Sequence, residues 1–461
     1  MIPGGLARIR MRCVWSANTI RSGCVGAGWA IAPLTPLRDL PTRAIREFCI
    51  ARVASVVVTS LTLTLVGPAA AQRAVSRRAA IDAALTAGTR VALARADSAA
   101  ARARLLTARA LGNPSLAASY SKSAPQKHLS LEIPLDAPWI RGARIGAARA
   151  GLRASDLRML SEHAAAIVEA DTTYTTALAA EARFRLSRQT ARDADSLRVL
   201  TTKQRDAGDA SELDVDLAAV TAGQQANAAS NDSLALMSAL LALQMLMGIP
   251  PDSVTVVLAD SLRAASTAAD TALTRFAATA LRQGPAPPSV RSAEASLQAA
   301  ELAILRERRS VIGLPAISVG VEFGDPKGDE PGLLPTFGVV LPLPLLDRNR
   351  GPIAEATAER DRARAELAVA RLEARQRLIE GMREREQLVV RVARDSALVL
   401  RAQRVASRAI TAYAEGASAL PAVLEARRSA REVIAQYIDD TAALLIVTTE
   451  LRALTGTIPE P

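Results

Sequence analysis

The chain has only two histidines, His128 and His163. Histidine is the side chain most readily recruited for proton transfer or metal binding near neutral pH. One lies in a strand-like stretch and the other in a helix-like one, with no cysteine beside either and no His-x-x-x-His spacing. Zinc needs several convergent ligands, so no metal centre is expected from them. No Ser-His-Asp set, glycine-rich phosphate loop or pair of catalytic carboxylates stands out. No cofactor is expected, and the chain does not read as an enzyme. What remains is a set of acids and small residues at two glycines. Gly208 is followed by Ser211, Asp214 and Asp216, and Gly416 by Ser418 and then Glu425. A glycine tolerates the positive φ that closes a helix, and a serine caps the next one. Asp214 also neighbours a helix start, where acids are favoured. This is the chemistry of chain reversal.

The cysteines narrow the field further. Cys13, Cys24 and Cys49 all fall in the first 71 residues. There an apolar run, 53–66, follows Arg43, Arg46 and Arg52 and precedes Ala69-Ala70-Ala71. A basic segment, a short apolar core and an Ala-x-Ala site make a secretory signal peptide. The run is short for a transmembrane anchor. Cleavage between Ala71 and Gln72 would leave a chain without cysteine, which excludes a disulfide framework, a cysteine nucleophile and a lipid anchor there. It would also lower the net charge from +11 to +5, too little to suggest nucleic acid. Aromatics make up only 3%. Ala, Leu, Arg and Glu dominate, as in long helices packed by small residues.

The elements that position the two glycines come in two copies. Ala207-Gly208-Asp209-Ala210-Ser211 is echoed about 208 residues later by Glu415-Gly416-Ala417-Ser418. Leu246-Met247-Gly248-Ile249-Pro250 is echoed by Leu454-Thr455-Gly456-Thr457-Ile458-Pro459, and Ile133-Pro134-Leu135 by Leu341-Pro342-Leu343. Such a spacing is too long for a solenoid unit and reads as duplication of a whole module. Pro138 and Pro250 bracket a proline-free stretch, and so do Pro352 and Pro421. The residues from 142 to 207 would form one helix roughly 100 Å long. The return, 211–248, is only about 57 Å, so a third helix, 76–112, is needed beside the rest of the long one. The second copy supplies 288–311, 352–415 and 418–455. Val389, Val392, Ser396, Val399, Ala402, Ala406, Ala409 and Tyr413 mark a narrow seam of the coiled-coil kind.

Between the helices lie short alternating stretches. Leu129, Leu131 and Ile133 alternate with His128, Ser130 and Glu132, and Ile317, Val319, Val321 and Phe323 with Ser318, Gly320 and Glu322. Phe337, Val339 and Leu341 form a further strand, and 115–121 a weaker one. Each has one apolar and one wet face. Val319 and Val321 should point outward and Glu322 inward. Four strands cannot close a barrel, and an open edge is not tolerated in lipid. Three chains would supply twelve strands, an even number in the range of outer-membrane barrels. A soluble helical protein with two hairpins is the alternative, and it leaves the long helices without a purpose.

At this point the sequence resembles the TolC-like outer-membrane efflux protein family. The resemblance is carried by Ala83, Leu85 and Asn113-Pro114, by Gly208, Ser211, Asp214 and Val215, and by Leu246, Gly248 and Pro250. The second half adds Pro315, Gly416, Ser418 and Leu424-Glu425-Ala426. Leu341-Pro342-Leu343-Pro344-Leu345-Leu346-Asp347-Arg348-Asn349-Arg350-Gly351 looks most like the cation-efflux branch. The resemblance implies a mainly α chain with a small β part: a leader, 1–71, and two repeats, 72–262 and 263–461. It implies a homotrimer whose strands form a twelve-stranded β-barrel in outer-membrane lipid and whose long helical hairpins form an α-barrel tunnel in the periplasm. Gly208, Ser211, Gly416 and Ser418 would form tips that meet a periplasmic adaptor protein. The adaptor would link the channel to an inner-membrane pump of the resistance-nodulation-division type. Asp214 or Asp216, with Glu425, would ring a pore constriction favouring cations, or be plain solvated helix residues. The chain would be a passive exit duct. The alternative is a periplasmic coiled-coil adaptor or scaffold.

Overall fold

Two helices set the dimensions of the molecule. In the computed structural model, residues 72–123, 125–252, 255–262, 286–324 and 332–455 are described. The leader with its cleavage site and the echo at Gly456–Pro459 lie outside them. The chain runs β1 (Gln72–Val75), α1 (Arg77–Ala87), α2 (Thr89–Arg109), β2 (Ser115–Tyr120), β3 (Lys127–Pro134), α3 (Pro138–Ala207) and α4 (Glu212–Leu246). It continues with β4 (Thr255–Leu258), α5 (Pro288–Arg309), β5 (Ala316–Phe323), β6 (Leu334–Val340), α6 (Arg350–Ala414) and α7 (Leu420–Thr455). Helix α3 has 70 residues and α6 has 65, so they span about 105 and 98 Å. Pro138 opens α3, where its missing N–H is no loss.

The shorter helices complete each long one in the way their lengths require. Helices α1 and α2 pack along the first part of α3, and α4 along the rest. The two meet at a core of Val75, Ala80, Tyr174, Leu178, Leu243, Met247 and Val256. Tyr174 is fully buried, and a buried tyrosine hydroxyl needs partners. It reaches the Val75 carbonyl at 3.0 Å and Asp260 Oδ2 at 2.8 Å. Burial first, then Asp260, raises its pKa. The second half repeats the plan, with α5 and α7 along α6. Small residues permit this close packing. A Cβ on Gly381 of α6 would stand 3.1 Å from Leu451 Cδ2 of α7. The halves join where α3 meets α5 and α7. Arg183 and Asp439 pair there, and Arg77, Asp171 and Thr449 tie α1, α3 and α7 together.

The strands form a four-stranded antiparallel sheet in the order β2-β3-β5-β6, so the two halves pair through β3 and β5. Register places Leu129 opposite Val321, Leu131 opposite Val319 and Ile133 opposite Ile317. Val319 also faces Phe337, and Leu131 faces Leu116. The apolar side chains therefore share one face, and it is uncovered: Leu116, Leu131, Val319, Phe337 and Val339 are all exposed. The other face carries Ser119, His128, Ser130, Glu132, Ser318, Glu322 and Thr336. Val319 and Val321 thus lie on the apolar face and Glu322 on the other. Strands β2 and β6 end the sheet with unpaired edges. Among the described residues no helix is long and apolar enough to cross a membrane.

Four details differ from the sequence reading. The helix expected over 76–112 is two, broken at Gly88, whose ψ of 136° leaves the helical region; glycine is the weakest ordinary helix former. The seam of α6 buries Asp395, and its neighbour Ser396 is exposed. Ser418 does not cap the last helix, because α7 begins at Leu420. A two-stranded parallel sheet, β1 with β4, pairs Gln72–Val75 with Thr255–Leu258; four-residue strands are too short to show a period.

Candidate functional site

The two glycine turns are built alike. Gly208 has φ +89° and Gly416 φ +71°, a region where side chains are disfavoured. At the first, the Gly208 N–H donates to the Arg205 carbonyl and the Asp209 N–H to that of Gln204, at 2.9 and 2.8 Å. At the second, Gly416 donates to Tyr413 and Ala417 to Ala412, at 3.0 and 2.8 Å. This paired pattern is the Schellman closure. The turns part after it. Ser211 and Asp214 form a full capping box, with the Asp214 N–H donating to Ser211 Oγ at 3.1 Å and Ser211 N donating to Asp214 Oδ2 at 3.2 Å. The Asp214 carboxylate is thereby committed to the helix start, while Asp216, two residues on, is exposed.

A shared core brings the two turns side by side. Leu197 of α3, Ala218 of α4, Tyr413 of α6 and Leu420 and Val423 of α7 are buried together. Thr201 and Tyr413 share a 3.2 Å hydrogen bond beneath them. Above this core a groove runs between the hairpins, lined by Leu217, Gln225, Leu424, Glu425, Arg427 and Arg431. Glu425 is exposed, and its charge helps raise the pKa of Arg428, after the larger effect of Glu432. Arg431 donates to Gln225 at 2.5 Å and bridges the hairpins. Burial lowers the pKa of Arg427 against the opposing pull of Asp193. The candidate acids therefore sit near the tips, but Glu425 shares its surroundings with arginines.

Two polar clusters escaped the sequence reading. Asp440 of α7 and Asp395 of α6 are buried. Asp440 accepts from Arg391 at 2.5 Å and from Gln436 at 2.9 Å. Burial first, then the neighbouring Asp395, raises its pKa. In the sheet, His128 Nδ1 lies 3.3 Å from Glu322 Oε1. These partners are far apart in sequence, so no local spacing could announce them. Among the described residues, no group of three or more His, Cys, Asp and Glu side chains could hold a metal ion.

No protein-family model and no curated protein matches the sequence. Solved structures do match in fold. The outer membrane protein VceC from Vibrio cholerae aligns with a TM-score of 0.67 at 16% identity, over 82% of this chain and 96% of that one. CusC, described in terms of folding and transmembrane channel formation, aligns at 0.63 and 19%, over 82% and 91%. The MtrE outer membrane channel of Neisseria gonorrhoeae aligns at 0.61 and 17%, over 82% and 88%. The fold is thus shared over 82% of this chain and most of each of those, and the chain has the fold of the outer-membrane channels.

Proposed function

We propose that the chain is the outer-membrane exit duct of a tripartite efflux system, a passive homotrimeric channel. One observation carries this reading: a sheet whose exposed face is apolar, whose opposite face is polar, and whose two edges are open, mounted on helices about 100 Å long. In lipid each unpaired backbone group costs several kcal/mol. Three copies remove the edges by joining β6 of one to β2 of the next, giving twelve strands with the apolar face outward. The helices then form a tunnel in the periplasm, with the turns at Gly208 and Gly416 at its inner end. A periplasmic adaptor would dock there, linked to a pump of the resistance-nodulation-division type. Glu425 with Asp216 or Asp214 would line the constriction, and the use of Asp214 as a helix cap favours Asp216. The sheet's lipid-ready face favours this reading over a periplasmic adaptor or scaffold.

Membrane fractionation and light scattering test it together. The exported protein should enter the outer membrane, and the detergent-solubilised particle should have the mass of three chains. A stable monomer extracted from the membrane, or a protein confined to the soluble periplasm, contradicts the reading.

A further inference from the structure

We propose that His128 and Glu322 form a transit site for borderline divalent metal ions, of which Zn2+ is the type, on the inner wall of the barrel near its outer mouth. The placement in a lumen rests on the exit-duct reading; the site itself rests on the geometry of one chain. His128 and Glu322 are direct cross-strand partners on β3 and β5. Both lie on the polar face of the sheet. The connections to the helices leave from Ser115, Pro134, Ala316 and Val340, so all four lie at one end of the sheet. His128 and Glu322 lie at the other end, beside the hairpin connections. In the trimer this is the mouth farthest from the tunnel.

The pair has ligand geometry. Zinc bonds of roughly 2.0–2.1 Å place two tetrahedral ligands about 3.3 Å apart. The observed separation of His128 Nδ1 and Glu322 Oε1 is 3.3 Å. The other ring nitrogen, Nε2, lies 3.3 Å from Ser121 Oγ. Ser121 Oγ donates its own hydrogen to the Ser123 carbonyl at 2.8 Å, which leaves its lone pair to accept Nε2–H. That bond fixes the tautomer in which Nδ1 is free to bind metal, the usual role of an outer partner. The two side chains are 32% and 31% exposed, so a bound ion keeps water in its remaining positions. Imidazole with a single carboxylate suits zinc, copper, nickel and cobalt better than magnesium or calcium. Two protein ligands hold such an ion weakly, as passage through a conduit demands. The next row of the same face carries Ser130 beside Gly320 and then Thr336, and the carboxylate beyond it, Glu132, stands opposite Ser318 with no histidine across from it.

Planar-bilayer recordings of the purified full chain test this, with ZnCl2 or MgCl2 added on the hairpin side. Zn2+ should block the current, Mg2+ far less, and His128→Ala and Glu322→Gln should each weaken the Zn2+ block by roughly tenfold or more. A pore that conducts but shows the same Zn2+ block in both variants overturns the site and leaves the duct standing. A protein that forms no pore fails the duct reading, and the site is then decided in detergent. Diethyl pyrocarbonate acylation of His128, mapped by mass spectrometry, should be suppressed by Zn2+ in the wild type and not in Glu322→Gln. His163, whose Nε2 is buried, serves as the internal control. Equal acylation with and without Zn2+ overturns the proposal.

Discussion

Single side chains show where charge is tolerated in a body made of helices. Asp440 is the clearest case. Burial and the adjacent Asp395 hold its pKa above the ordinary 3.8 of an aspartate. The native state therefore binds this proton more readily than the unfolded chain. The associated stability is complete below the unfolded value and is lost as pH rises through the raised folded value. At neutral pH the pair is a burden, relieved in part by Arg391, which is half-exposed and so screened. Asp440→Asn keeps an acceptor for Arg391 and Gln436 and gains an N–H for Asp395. Its thermal midpoint at pH 7, followed by circular dichroism, should rise by a few degrees, and the gain on acidification should shrink. A lower midpoint at pH 7 would mean the Arg391 ion pair dominates. Glu425 poses the opposite question, because it is exposed and the proposed trimer would set its environment. Three carboxylates around a narrow pore attract cations. Glu425→Ala should weaken cation selectivity and block by divalent ions at the inner end, with trimer mass unchanged. Unaltered selectivity and block would make Glu425 a solvated partner of Arg428, with Asp216 next to examine.

Elements carry the faces and turns on which those residues act. The sheet makes a sided prediction. Val319→Arg, on the apolar face, should destabilise the barrel by about 2–4 kcal/mol if that face meets mid-bilayer lipid. Ser130→Arg, on the polar face, should cost much less and lower conductance instead. Equal losses in a urea-unfolding titration in lipid vesicles would show that the faces are not divided between lipid and lumen. The turns make another. Gly416 has φ +71°, and proline is fixed near −65°. Gly416→Pro should leave the protein in the outer membrane at normal level and abolish export in cells, because the altered turn is the proposed docking surface for an adaptor; normal export would remove that role. Much of this level was legible beforehand. Alternation in 127–134 and 316–323 gave the strands and their sidedness, and the proline-free stretches gave the long helices. What stayed hidden depends on distance or brevity. Glu322 meets His128 only because β3 pairs with β5 across the two halves. The seam drawn through Ser396 misses by one position, since Asp395 is the buried residue and a one-residue shift rotates a helix by about 100°. The start of α7 lies at Leu420 and not at Ser418, since a serine after a glycine looks like a cap wherever the next helix begins.

At the scale of the whole molecule, a single chain leaves much apolar surface exposed. Exposed apolar rows run beyond the sheet, through Leu213, Leu217 and Val220 on α4 and Leu93 and Leu106 on α2. In the proposed trimer, copies would meet at the two free strand edges. Within one chain β2 and β6 are separated by β3 and β5, which puts the edges about 14 Å apart at the usual strand spacing. Disulfides need Cα atoms within about 7 Å. A cysteine on each edge therefore cannot bond within its own chain, and it can bond only where another chain's edge lies alongside. Ala117 of β2 and Leu334, Thr336 and Gly338 of β6 all lie on the polar face, so the pairs Ala117→Cys with Leu334→Cys, Thr336→Cys or Gly338→Cys sample neighbouring registers. The native cysteines all precede residue 72, and a chain cleaved there has no thiol to confuse the result. Oxidised membranes from at least one double variant should give dimer and trimer bands on a non-reducing gel, with nothing larger, since a closed ring of three has no edge left over. Single variants should give neither band. A ladder extending past the trimer would mean the edges join without closing, and monomer alone in all three pairs would mean that β2 and β6 do not meet.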